Sequence, residues 1–88
     1  MKVLFTADGW DEFLHWTREG ADEQKRIFDL IEDCRRSPFR GIGKPEPLKG
    51  NLAGYWSRRI TGQHRLVYAV KGKDEDRHIV IVQCRLHY

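Results

Sequence analysis

The sequence predicts an α+β domain of order βααβββ, with two helices packed on one face of a small, mostly antiparallel sheet. A β-branched and aromatic run opens the chain. Two helical apolar patterns follow it, and three strand-like stretches separated by turn residues close it. With 88 residues the chain is read as one domain, 1–88. A chain this short buries only roughly 60–65% of its unfolded surface in a single core.

Each element has a local cause. "KVLFT" reads as a strand because its residues favour a pleated, half-buried surface. Asp8 is the expected cap of a first helix that places Trp10, Phe13 and Leu14 at helical spacing, and Gly20 ends it. A second helix is expected from about Ala21 to Arg36, with Ile27, Phe28, Ile31 and Cys34 on one stripe and Leu30 beside it. Its first turn holds Asp22 and Glu23 and its last Arg35 and Arg36, which complements the helix dipole. Ser37-Pro38 stops it, because a residue before proline is driven out of the helical region. A Gly-, Pro- and Lys-rich loop runs from Phe39 to Gly54. Strands are then expected at Tyr55–Ile60, His64–Val70 and His78–Leu86, with turns at Thr61–Gln63 and Lys71–Arg77. In the middle strand Leu66, Tyr68 and Val70 alternate with Arg65, Val67 and Ala69. Trp10, Trp16 and Phe28 read as core, and Tyr55 and Trp56 as either core or interface.

Composition narrows the functional classes. Hydrophobic content of 40% and aromatic content of 11% support a packed core and exclude a disordered chain. No apolar run approaches the roughly 18 residues of a membrane span, and no signal-peptide pattern opens the chain. Cys34 and Cys84 lie outside any metal-ligand spacing and read as reduced thiols of a cytoplasmic protein. The net charge of +3 conceals a division: residues 1–33 balance at −5, residues 34–65 at +7 and residues 66–88 at +1. Such polarity points to a polyanion, and nucleic acid is the expected partner.

Within the basic segment Glu46 is the one acid, held in "KPEPLKG" between Pro45 and Pro47. Two fixed φ angles restrict where that carboxylate can go. It serves either as a salt-bridge partner of Lys44 or Arg35, or as a reactive group. RNA cleavage without a metal needs a base for the 2′-hydroxyl, cations for the phosphate and an acid for the departing 5′-oxygen. Glu46 is the candidate base, and Arg59 or Arg65 the candidate clamp, since the guanidinium fork fits phosphate oxygens. Of the histidines His15, His64, His78 and His87, the last is the candidate acid. It ends the final strand beside Tyr88, a ring on which a base can stack, whereas His64 and His78 open strands beside turns and read as solvated. No phosphate-binding glycine loop, activated serine or cysteine, or carboxylate cluster for magnesium is visible, so no metal or cofactor is expected.

The stretch "RRSPFRGIGKPEPLKGNLAGYWSRRITGQHRLVYAV" and the terminal "CRLHY" closely resemble the YoeB branch of the RelE superfamily of toxin–antitoxin messenger-RNA interferases. "GWDEFLHW" looks like the family's first helix, so the likeness runs almost end to end. The turn Lys71–Arg77 is longer than in familiar members. The resemblance implies a microbial RNase-like fold and ribosome-dependent cleavage of mRNA in the A site by 2′-hydroxyl attack, which would inhibit translation. Carried over by position, Glu46 is the general base, Arg65 the phosphate-stabilising arginine, His87 the general acid and Tyr88 the terminal aromatic. Lys49 and Arg59, with Lys44, are the expected RNA contacts. The implied partners are a YefM-like antitoxin, the ribosome and a second copy of the toxin, with operator DNA reached only through the antitoxin complex. The alternative is a homologue that docks on the ribosome or antitoxin without cutting.

Overall fold

The computed structural model describes residues 1–86. Among these the chain runs β1 (Lys2–Phe5), α1 (Ala7–Glu19), α2 (Ala21–Arg36), β2 (Glu46–Pro47), β3 (Tyr55–Arg59), β4 (Arg65–Lys71) and β5 (His78–Gln83). The strands form one sheet of order β1-β5-β4-β3-β2. The α+β class and both helices are as the sequence predicts, while the sheet has one strand more. Pairing along β2–β3–β4–β5 is antiparallel, and β1 returns parallel to β5. That parallel pair makes the sheet mixed, because the α1–α2 crossover carries the chain back over one face. No helix among the described residues is long and apolar enough to cross a membrane.

Local chemistry sets the boundaries. The cap of α1 is Thr6, not Asp8: the Thr6 hydroxyl accepts from the Gly9 amide at 3.1 Å. Thr6 N–H donates to Ile81 O at 3.0 Å, so the extended residue that directly follows β1 is already the helix cap. Asp8 lies in the first turn, where its charge faces the positive dipole end. Gly9 is needed for close approach, since a Cβ there would sit 2.5 Å from Ile81 O. The last strand ends at Gln83 rather than Leu86. A bulge between Val67 and Tyr68 breaks the ladder, and the Cys84 amide turns away to donate to Glu12 Oε1 at 2.8 Å.

The helices bury Phe13, Trp16, Ile27, Leu30, Ile31 and Cys34 against Leu66, Tyr68, Ile79 and Ile81. Each fully buried aliphatic or aromatic side chain of this kind contributes about 1.5–3 kcal/mol. Trp16 also donates from Nε1 to Cys84 O at 2.7 Å, tying α1 to the segment after β5. Two expected core residues lie elsewhere: Trp10 is 46% and Phe28 49% exposed. They sit at the rim of an aromatic chain, Phe5–Trp10–Phe13–Phe28, whose ring centroids are 5.4–5.7 Å apart. Only Phe13 at its centre is within the closed core. Cys34 and Cys84 are free and buried. Burial pushes both thiols up, Cys84 to about 12, which suppresses their thiolates.

Candidate functional site

Strand register sorts the candidate residues by face. Trp56, Arg58, Leu66 and Tyr68 lie in paired positions on the helix-covered side, with Ile81 opposite Tyr68. The alternate positions form the other face, open at Glu46 and Arg59 but buried at Ser57 and Val67. There Glu46 opposes Ser57, Ser57 opposes Val67, and Val67 opposes Gln83, one row across four strands. The next row on that face pairs Arg59 with Arg65. With strands about 4.8 Å apart and same-face residues about 6.8 Å apart along a strand, the Glu46 and Arg65 backbones are roughly 12 Å apart.

Glu46 is delivered by a strap, not by the loop the sequence suggested. Arg59 N–H donates to Gly43 O at 2.7 Å and Leu48 N–H to Tyr55 O at 2.9 Å, fastening residues 43–48 along β3. Proline suits this edge strand because its missing N–H leaves no donor unsatisfied. Lys44 takes φ +52 immediately before Pro45, a left-handed conformation that non-glycine residues enter at a cost of about 1–2 kcal/mol. The strap therefore holds strain next to the carboxylate. Glu46 is exposed and forms no ion pair among the described residues. Arg35, one expected salt-bridge partner, pairs instead with Glu32 at 2.8 Å. The salt-bridge reading of Glu46 has no support in this geometry.

Arg58 behaves unlike the rest of the basic segment. Its side chain is fully buried, and its guanidinium meets Asp33 Oδ2 at 2.7 Å. It also donates to the carbonyls of Ile42, Ser37 and Arg40 and to the Tyr68 hydroxyl. Tyr68 in turn donates to Pro38 O at 2.6 Å. This knot fixes the loop leading to the Glu46 strap. The Arg58 hydrogen bond and the Ile42 amide hold the Asp33 carboxyl below its usual range. Burial favours loss of the Arg58 proton, but the bonds to Tyr68 and Asp33 outweigh it, so the net shift is upward. Arg58 thus adds nothing to the exposed positive surface. The alternation Trp56, Arg58, Ile60 is the sequence signal by which it could have been placed inward.

The other expected residues divide between the site and other locations. Lys44, Lys49 and Arg59 are exposed. Arg65 is half-buried, and one terminal nitrogen donates to Thr61 O at 2.7 Å, with longer bonds to the Gly62 and His64 carbonyls. Its Nε and other terminal nitrogen make no bond among the described residues. Trp56 is on the covered face, its ring 5.0 Å from Phe39, and belongs to no open-face row. The long turn forms a 3-10 segment at Asp74–Asp76 and lays Arg77 over the Phe39 ring at 5.4 Å. Next to the turn the hairpin register is regular from Lys71 opposite His78 to Tyr68 opposite Ile81, where the bulge interrupts it.

The histidines also separate. His15 packs on Trp16, and His78 Nδ1 bonds Asp76 O at 2.7 Å. His64, expected to be solvated, accepts the Leu86 amide at 2.7 Å and packs edge-on against Trp16. His87 and Tyr88 lie outside the described residues. Among the described residues no group of three His, Cys, Asp or Glu is placed to hold a metal ion.

Comparison with known proteins covers the whole chain. Residues 5–88 match the sequence pattern of the YoeB-like toxin of bacterial type II toxin-antitoxin systems. Toxin YoeB of Streptomyces coelicolor is 53% identical over 88 residues, 100% of both chains. A solved YoeB/ParE toxin from Agrobacterium tumefaciens superposes with TM-score 0.95 at 50% identity, covering 100% of both chains. YoeB of Staphylococcus aureus, solved in a YoeB–YefM complex and as a YoeB dimer, gives TM-score 0.88 at 38% identity, covering 100% of this chain and 98% of that one.

Proposed function

The chain belongs to the YoeB-like toxins of bacterial type II toxin–antitoxin systems, and on that premise we propose that it is a ribosome-dependent endoribonuclease that cuts mRNA in the A site. The observation that carries this reading is an exposed carboxylate, Glu46, without an ion-pair partner among the described residues, on the same sheet face as Arg59 and Arg65.

In this mechanism Glu46 removes the proton of a ribose 2′-hydroxyl. The 2′-oxygen attacks the adjacent phosphorus, and the bond from phosphorus to the 5′-oxygen breaks. Arg65 donates to the phosphate oxygens as their charge rises. His87 gives its proton to the departing 5′-oxygen, and Tyr88 supplies a ring for base stacking. The products are a 2′,3′-cyclic phosphate and a 5′-hydroxyl. Lys44, Lys49 and Arg59 neutralise backbone phosphates, so docking is steeply salt-dependent. The partners are a YefM-like antitoxin and a second copy of this chain, because the S. aureus relative was solved in both settings.

Primer extension on mRNA incubated with translating ribosomes and the protein tests the reading. Discrete cuts at A-site codons are expected, with naked RNA left intact. Uncut mRNA on ribosomes that bind the protein would establish a silent docking module, and cutting of naked RNA would remove the ribosome dependence.

A further inference from the structure

We propose that His64 is a positioning residue: the unprotonated Nδ1 of its ring anchors the C-terminal segment, and protonation of the ring releases it. The importance of that segment for cleavage rests on the function proposed above; the anchor itself rests on geometry.

Leu86 is the residue before His87, and both of its backbone polar groups are taken up by one dipeptide. Its N–H donates to His64 Nδ1 at 2.7 Å, and its carbonyl accepts from the Arg65 N–H at 2.9 Å. The Gln83 amide group adds longer bonds to the Arg85 and Leu86 carbonyls, at 3.2 and 3.4 Å. Leu86 has φ +60, in the left-handed region, and is 51% exposed. Its side chain therefore contributes little packing to offset an unfavourable backbone. Among the described residues, hydrogen bonds with residues 64, 65 and 83 hold the chain in that turn.

The ring is itself preorganised. It meets Trp16 edge-to-face at 4.8 Å, and Trp16 is locked by its bond to Cys84 O. The His64 amide donates to the Thr61 hydroxyl at 3.1 Å, and its carbonyl accepts from Ile60 N–H at 3.0 Å.

A nitrogen that accepts a hydrogen bond must present a lone pair, so the bonded form is neutral with its proton on Nε2. The imidazolium carries a proton on both nitrogens and would turn an N–H toward the Leu86 N–H. The anchor is present when the ring is neutral and is lost as falling pH protonates it. Of the charged or titratable groups on the neighbouring elements, Glu12 bonds the Cys84 amide, Arg26 the Arg59 carbonyl and Arg65 the His64 carbonyl, while His15 packs on Trp16. None is bonded to the ring among the described residues.

The test is nuclear magnetic resonance on the full chain, beside single-turnover cleavage on programmed ribosomes. A nitrogen–nitrogen coupling across the hydrogen bond should link Leu86 N to His64 Nδ1 at neutral pH and disappear on acidification through the ring's titration. His64→Ala should abolish the coupling, speed Leu86 amide exchange at least tenfold, and cut the cleavage rate at least tenfold with ribosome binding unchanged. His64→Asn supplies an acceptor oxygen where Nδ1 stood. It should restore slow exchange and most of the rate, and acidification should no longer release Leu86. Absence of the coupling in the wild type, or exchange indifferent to His64→Ala, overturns the anchor. Full cleavage by a His64→Ala protein with a released Leu86 overturns the positioning role, as does an Asn variant no better than Ala. A wild type that shows the coupling but never cuts mRNA overturns the proposed function and with it the positioning role, leaving the anchor standing.

Discussion

Arg58 and Arg59 are neighbours on one strand, yet they belong to opposite regions of the molecule. Arg58 points under the helices, fully buried, and spends its donors on Asp33, Tyr68 and the carbonyls of Ser37, Arg40 and Ile42. Arg59 points to the open face, exposed, with no ion pair among the described residues. A buried guanidinium left without partners would cost several kcal/mol, so the covered region surrounds it with acceptors. Water already solvates the exposed one, so it stays free to meet a phosphate. The same side chain is a structural tie on one face and ligand-directed charge on the other.

The sharpest way to break this contrast is Arg58→Met. It leaves Asp33 and three loop carbonyls without their donor, and loss of one partner from a buried pair costs about 3–5 kcal/mol. Urea unfolding should show that loss; a change below about 1 kcal/mol would mean the knot is replaceable. Glu46→Gln is the converse, an open-face change that should leave stability within about 0.5 kcal/mol. Cleavage should fall roughly 10²–10⁴-fold, the usual worth of a general base. A mutant that cuts at the wild-type rate would remove Glu46 from the mechanism.

Acid sharpens the contrast more gently. The Asp33 carboxyl is depressed chiefly by its bond from Arg58. Its contribution is therefore complete above the unfolded value, about pH 4, and drains away as pH falls through the lower folded value. The stability difference between wild type and Asp33→Asn should be constant near neutrality and shrink below about pH 4. A difference that stays level down to pH 2 would contradict the pairing. The smallest expected effect is that of Arg59→Ala. Stability should stay within about 0.5 kcal/mol, and the log–log salt slope of ribosome binding should become shallower by about 0.7. An unchanged slope would mean that Arg59 touches no phosphate.

Much of this arrangement is local and was readable from the chain itself. The second helix runs Ala21–Arg36 as its periodicity and flanking Gly20 and Ser37-Pro38 dictate. The acid held between prolines in a basic segment is likewise a property of neighbouring residues. The tertiary structure decided what no short window contains. β2 is a two-residue strand, too short for alternation to register, and it exists because β3 lies beside it. The parallel β1–β5 pair joins Lys2 to His78, and the Leu86–His64 bond joins residues 22 positions apart. The identical charges of Arg58 and Arg59 separate only when a face has been covered. Periodicity assigns the two arginines to opposite faces, but which face loses its water depends on contacts between residues far apart in sequence, such as Asp33 with Arg58.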